Sequence, residues 1–240
     1  MTKTAKILRI EPDGPADCGL QEWERMNPED LVAGHPVQRG HVYHERPQDG
    51  YLAGVWDCTA FTGQMEAYSV DEFMLLLEGA LEMVLPDGKI VEIRAGDAFV
   101  IPKGFMCQWR QPGFVHKIFM ILDGPVPATA ANPSLTRITI PDLCAVRGGN
   151  AVMATRLDFL NAAGTMRVAV QDCAAINIPS LSIPENQLIH VLSGTLSLSE
   201  GNALHSFAQG ETAYIHQDNT VGWKTSADTR LLIASCGTPG

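Results

Sequence analysis

The sequence predicts an all-β protein, and three features carry that expectation. Its apolar runs are short and closely punctuated by glycine, proline and aspartate, as in antiparallel sandwiches and barrels rather than helical folds. Pro86-Asp87-Gly88 separates the apolar run 81–85 from the run 90–93, which is turn chemistry between two strands. A series of landmarks in the first half of the chain also returns, in the same order, in the second.

In chain order, the first 50 residues are mixed: an apolar strand over 7–10, a Pro/Gly/Asp-rich segment and a helical turn after Asn27-Pro28. His41-Val42-Tyr43-His44 alternates as a strand does, which sends His41 and Tyr43 to one face and His44 to the other. With His35, these histidines are close in sequence without being bound to converge, and they read as surface or strand-edge groups. A strand begins at Leu52 and runs to Cys58, and the stretch from Glu66 to Trp109 follows. Within it, Gly79 marks a bend or turn. Gly96-Asp97 and Gly104 bracket a short buried strand, and a further strand spans 115–122. The segment 126–134, rich in proline and alanine, reads as a linker.

The repeat divides the rest. Val55-Trp56-Asp57-Cys58 returns as Val170-Gln171-Asp172-Cys173, and Leu77-Glu78-Gly79 as Leu192-Ser193-Gly194, with each glycine 22 residues past its aspartate. Leu81 and Met83 map to Leu196 and Leu198, and Gly96-Asp97 to Gly210-Glu211. A tryptophan stands 13 residues past the glycine in both copies, Trp109 and Trp223. The copies differ by one residue at the hairpin turn, where a length change costs little. Two similar β domains are expected, over 1–125 and 135–240.

At 240 residues with 45% hydrophobic content the chain has ample material for such cores. No apolar run approaches membrane-spanning length, and the N-terminus lacks the apolar core of a secretory signal. Six scattered cysteines form neither metal-type pairs nor a disulfide framework, which favours reduced thiols and a cytoplasmic location. A formal charge of −10 without a basic cluster excludes a nucleic-acid partner.

Gly54-Val55-Trp56, the acidic Asp71-Glu72, Leu77-Glu78-Gly79 and the run from Gly96 to Trp109 resemble the cupin superfamily. The likeness is to its (S)-ureidoglycine aminohydrolase-like and ethanolamine-utilisation-type members. The first copy matches well and the second in outline. The resemblance implies two tandem cupin (RmlC-like) jelly-roll barrels in one chain, and barrel-edge pairing into a homodimer as an assembly open to it.

Cupins commonly hold a divalent metal within the barrel. Carried over residue by residue, the usual glutamate falls on Glu72, the paired-histidine positions on or beside Glu66 and Tyr68, and the late histidine on Cys107. In the aminohydrolase frame only the first ligand, Glu66, is kept. The resemblance thus implies either an unusual manganese, zinc or iron site from Glu66, Glu72 and Cys107, or a barrel whose metal is lost. Imidazole, on which such sites usually rely, occupies none of these positions. Crowded carboxylates in a partly dry barrel suit acid–base work. In that reading Glu72 is the general base, Glu66 its acid partner or a metal ligand, and Tyr68 an orienting donor. Trp109, Cys107, Met74 and Lys103 complete the expected pocket, with Gln108 pointing away.

In the second copy Glu66, Tyr68, Glu72 and Cys107 become Leu181, Ile183, Gln187 and Val221, an apolar set that cannot hold a divalent ion. His190 is expected to face outward, toward solvent or an interface, and His216 and Asp218 to lie on a loop at the barrel mouth. The expectation is a small-molecule enzyme or binder working in the first barrel, with a nitrogenous carboxylate such as a ureide as its ligand. A metabolite binder without turnover, both metal sites lost, is the alternative.

Overall fold

The computed structural model describes residues 6–124, 130–139 and 153–237. The chain forms two compact units. One runs from Glu11 to Ile138, and the other joins the first strand, Ile7–Ile10, to the strands after Thr139. Each unit is built of two antiparallel sheets, the expected two tandem barrels. The limits differ from those expected at both ends of the first unit. Ile7–Ile10 pairs with Thr212–Ile215 in the second unit, in register from Ile7 opposite Ile215 to Ile10 opposite Thr212, and Ile7 enters that unit's apolar core. Thr136–Ile138 pairs with Ala98–Ile101 at the edge of the first unit's larger sheet. Both strands cover an edge that would otherwise expose unpaired backbone groups. Part of the expected linker, 126–129, lies outside the described residues, as does Cys144.

In the first unit the larger sheet runs Thr136–Ile138, Ala98–Ile101, Asp71–Glu78, Val115–Leu122, Tyr51–Cys58, Gln38–Arg46 and Gln21–Glu22. The smaller runs Leu31–Gly34, Phe61–Ala67, Met106–Gln111, Ala80–Val84 and Ile90–Arg94. Alternation decides which residues fill the barrel. Met74 and Leu76 from one strand meet Val115 and Phe119 from its neighbour, with Leu81, Met83 and Ile93 from the smaller sheet. Each fully buried side chain of this size contributes roughly 1.5–3 kcal/mol.

The turn chemistry is as the sequence implied. Val84 stands opposite Ile90, and the Leu85 amide donates to the Lys89 carbonyl at 2.8 Å. The repeated glycine is needed for two reasons. Gly79 and Gly194 have φ of +84° and +72°, which an L side chain rarely adopts. A Cβ on Gly79 would also lie 2.0 Å from the Phe114 carbonyl oxygen, and one on Gly194 2.6 Å from Thr229 Oγ1.

In the second unit the larger sheet runs Ile7–Ile10, Thr212–Ile215, Asn186–Ser193, Thr229–Cys236, Met166–Cys173 and Met153–Leu160. The smaller runs Ile176–Ile183, Asn219–Thr225, Thr195–Glu200 and Ala203–Ala208. Register agrees with the repeat: Cys107 opposes Glu66 in the first unit, and Val221 opposes Leu181 in the second. Ile183, Val221, Trp223 and Leu231 fill this barrel with apolar volume.

His190 does turn away from the core residues Ile189 and Val191, but it is not a surface group. It is buried, with Nδ1 2.8 Å from the Thr212 hydroxyl oxygen, and burial pushes its pKa down to about 4. His216 is half-buried and shifted in the same direction by the same cause. Cys58 and Cys173, paired by the repeat, are buried in their respective cores, and burial raises both thiols to about 12.

Candidate functional site

Three strands of the larger sheet and two of the smaller converge on one cavity in the first barrel. Asp71–Glu78 aims Glu72 inward, two residues before Met74 on the same face. Val115–Leu122 points Val115, Phe119 and Ile121 into the core, and the same period sends Lys117 inward between them. Tyr51–Cys58 supplies Trp56, Met106–Gln111 supplies Cys107 and Trp109, and Phe61–Ala67 supplies Phe61 and Glu66. The rim is completed by Met26, Asp30 and Leu31 around a short 3₁₀ turn, Pro28–Asp30, whose first residue follows the capping Asn27. The cavity measures about 280 Å³, the size of a small metabolite.

Its floor is a chain of polar groups. Lys117 Nζ donates to Glu72 Oε1 at 2.7 Å, with both side chains more than nine-tenths buried. The Tyr68 hydroxyl donates to Glu72 Oε2 in a short hydrogen bond. The ammonium lies 4.6 Å from the centroid of the Trp56 ring and 5.1 Å from that of Trp109, where the ring quadrupoles favour a cation. Met74 Sδ stands 3.2 Å from the same nitrogen. One lysine is therefore held from beneath by a carboxylate and from the sides by two indoles.

The aromatic walls are themselves anchored. Trp56 Nε1 donates to Gln38 Oε1 at 3.0 Å, and Trp109 Nε1 to Gln111 Oε1 at 3.1 Å. Gln111, fully buried, donates in turn to the Cys58 carbonyl at 2.7 Å. Phe61 lies parallel to Trp109 with a 6.3 Å centroid separation, and Trp56 meets Trp109 edge-on at 6.4 Å. Such anchoring fixes the ring faces before a ligand arrives.

The residues singled out from sequence fall into three groups. Glu66, Tyr68, Cys107 and Trp109 line the cavity. Glu72 and Met74 sit behind it, in contact with Lys117 rather than with the open space. Lys103 is elsewhere: its ammonium is held by Asp123, at 2.5 Å from the carboxylate and 3.1 Å from the carbonyl. Gln108 points away from the cavity and donates to the Gly63 carbonyl at 3.1 Å.

Lys117 and Trp56 were missed by sequence reasoning, as were Met26, Asp30, Leu31, Phe61 and Gln64 on the cavity lining. A signal existed in the repeat, because register places Lys117 at Leu231 and Trp56 at Gln171. A lysine in an apolar strand whose copy carries leucine marks a polar interior. Trp109 and Trp223 also divide, although their recurrence argued for a common packing role. Trp223 is buried in its core, whereas Trp109 is half-exposed on the cavity wall.

Two titrations shape the chemistry. Burial first, and then the Glu72 carboxylate beside it, hold the Tyr68 phenol well above its ordinary value, so Tyr68 is a donor near neutral pH. Burial, with the neighbouring Glu66 charge, pushes the Cys107 thiol up to about 11. A protonated thiol is a poor nucleophile.

That donor set does not suit the divalent metal the fold implies. Glu72 has both oxygens engaged, one by an ammonium, and Glu66 is exposed at the rim. Among the described residues no three of histidine, cysteine, aspartate and glutamate group as ligands. Of Glu66, Glu72 and Cys107, which the sequence offered as possible ligands, Glu72 is held in an ion pair with Lys117.

The fold agrees with what the chain is similar to. Residues 46–132 match the family model of the EutQ-like cupin domain, which spans the strands that build this site. No curated protein sequence is similar enough to be matched. Among solved structures, a Pseudomonas syringae pv. tomato protein of unknown function from the DUF861 family superposes with a TM-score of 0.71 at 17% identity, over 96% of this chain and 99% of that one. A putative dioxygenase from Nostoc punctiforme gives 0.62 at 11% identity, over 99% and 84%. The salicylate 1,2-dioxygenase of Pseudaminobacter salicylatoxidans gives 0.53 at 11%, over 83% and 76%. At such identities the likeness speaks for fold. Residues 46–132 are thus similar to a EutQ-like cupin domain, and the chain as a whole has the two-barrel fold of these structures.

Proposed function

We propose that the first barrel binds a small nitrogenous carboxylate, a ureide or related amide, and moves a proton on it. The observation that carries this reading is Lys117, an ammonium fixed at the cavity floor by Glu72 and flanked by indole faces. A preorganised cation in a partly dry pocket suits an anionic or polarised ligand oxygen. Glu66 and Asp30 on the cavity lining supply acceptors for ligand N–H groups, with Gln64 beside them. The aromatic walls suit a planar carbonyl or ureido group between the two polar ends.

The roles then differ from those the sequence suggested. Glu72 accepts from both Lys117 and Tyr68 and does not line the cavity, so it is a positioning residue rather than the base. Tyr68, held protonated and donating to Glu72, helps fix that carboxylate, and Lys117 stabilises charge that develops on the ligand oxygen. Glu66, open to solvent at the rim, is the group able to accept a proton.

The test is calorimetric titration with N-carbamoylglycine and its relatives, for the native protein and for Glu66→Gln, together with an assay for ammonia release by hydrolysis. In that step water adds to the carbonyl carbon, the C–N bond breaks, and the departing nitrogen takes up the proton. Binding that weakens about tenfold in Glu66→Gln is expected, as for one charge-assisted hydrogen bond. Ammonia release lost in Tyr68→Phe supports catalysis. Absence of binding by every N-carbamoyl and amido acid at millimolar concentration would refute the ligand class. Binding without release would favour the second reading, a metabolite binder without turnover, which the double engagement of Glu72 supports because no free base lies beneath the cavity.

A further inference from the structure

We infer that Lys117 is the resident cation of the first barrel and occupies, in chemical terms, the place that a divalent metal takes in cupins that hold one. Three observations converge on it. Glu72, at the glutamate position of the cupin metal pattern, gives one oxygen to Lys117 Nζ at 2.7 Å and the other to Tyr68. Trp56 and Trp109 turn their faces to the same nitrogen, so the cation is favoured from directions in which a metal would need donor atoms. The second barrel has lost the lysine and the glutamate together, with Leu231 and Gln187 at their positions. Between the two copies of this chain the charges are thus present together in one and absent together from the other.

Metal and ammonium exclude each other here. A metal on Glu72 would bond at about 2.0–2.2 Å from its oxygen. That would bring two cations within a few ångströms inside a poorly screened interior, where like charges repel strongly. The ammonium also needs no exogenous supply: it is tethered by its own four-carbon stem, and its position is set when the barrel folds. The inference concerns the same cavity as the proposed ligand site but does not depend on which ligand enters it.

The experiment uses the full chain without added ligand. Protein purified without chelators is analysed for metals, and its thermal unfolding is recorded with and without EDTA. Lys117→Ala is then unfolded in methylammonium, in tetramethylammonium and in a divalent metal such as Mn²⁺ or Zn²⁺. The native protein is expected to carry far less than one metal per chain and to unfold at the same temperature in EDTA. Lys117→Ala is expected to unfold several degrees lower and to recover a few degrees in methylammonium, by mass action on the vacated position. Tetramethylammonium, which has no N–H to donate to Glu72, should not restore it.

Near-stoichiometric metal in the native protein, with a lower unfolding temperature once it is removed, would overturn the inference. So would a folded Lys117→Ala that methylammonium leaves unchanged. Should Lys117→Ala not fold, Lys117→Met keeps the volume and serves for the divalent-metal comparison, while the metal analysis of the native protein decides by itself. Failure of amine rescue alongside normal N-carbamoylglycine binding would reject the resident cation and leave the ligand reading standing. The reverse outcome would do the opposite.

Discussion

Lys117→Met isolates the energetic logic of the site. At 2.7 Å and an effective dielectric of about 20, the pair with Glu72 has a gross attraction of ~6 kcal/mol. Bringing each ion out of water costs several kcal/mol, so the net worth of the intact pair is small. Removing one partner is different. Glu72 keeps its bond from Tyr68 but loses its counter-charge while more than nine-tenths buried, which should cost ~3–5 kcal/mol. Replacing both ions, in Glu72→Met/Lys117→Met, should recover most of that loss and return stability to within ~1–2 kcal/mol of the native protein. Urea denaturation followed by tryptophan fluorescence reports this well, since Trp23, Trp56 and Trp109 all belong to the first unit. A single variant that loses less than ~1 kcal/mol would refute the reasoning. So would a double variant as unstable as the sum of its singles.

Other outcomes follow from neighbouring features. His190 has a folded pKa near 4 against an ordinary 6.5, so the unfolded chain binds a proton between these values that the folded chain does not. Its stabilising contribution is therefore complete above pH 6.5 and lost as pH falls toward 4, by up to ~3 kcal/mol, and His190→Gln should flatten that part of a stability–pH curve. Cys107, raised to about 11 and buried on the cavity wall, should react with iodoacetamide at pH 7.5 far more slowly than exposed Cys18, and more slowly still with the cavity filled; peptide mapping distinguishes them. Gly79→Ala should destabilise by more than ~2 kcal/mol, because it adds a backbone collision to an unfavourable φ, whereas Gly88→Ala, with φ +82° but open space, should cost only ~1 kcal/mol. Equal midpoints for the two variants in thermal unfolding would show that the collision is relieved.

The barrels were legible from the sequence because their signals are local and repeated. Asp87-Gly88 can hardly be anything but a turn, and Gly79 recurs as Gly194 because both copies need the same left-handed corner. The inward positions followed from alternation once the copies were aligned, and register places Glu66 beside Cys107 as that alignment required. What escaped notice depends on strands far apart in sequence. The partner of Glu72 is 45 residues away on an adjacent strand, and its two indole neighbours come from opposite sides of the barrel. Lys117 has no local motif, only an apolar setting that argues against a charge. The pairing of Ile7–Ile10 with Thr212–Ile215 was hidden for the same reason: a strand declares its pattern in sequence, but not the edge it will join.

The second barrel clarifies why the ion pair is there at all. At equivalent positions it packs Leu231 and Ile183 into a core without charge, which shows that this fold closes without a buried lysine. The first barrel accepts the desolvation of an ammonium and a carboxylate, arranges two tryptophans and a tyrosine around them, and leaves about 280 Å³ open above. Packing alone would favour the apolar solution, since a hydrophobic core of similar volume is often at least as stable. A polar floor kept in one copy and absent from the other therefore points to work done at the cavity. Arg230 and Asp172 form a buried ion pair in the second unit, outside its apolar core. The feature that separates the two barrels is therefore a positive charge fixed inside one of them, and the chemistry to look for is chemistry that needs one.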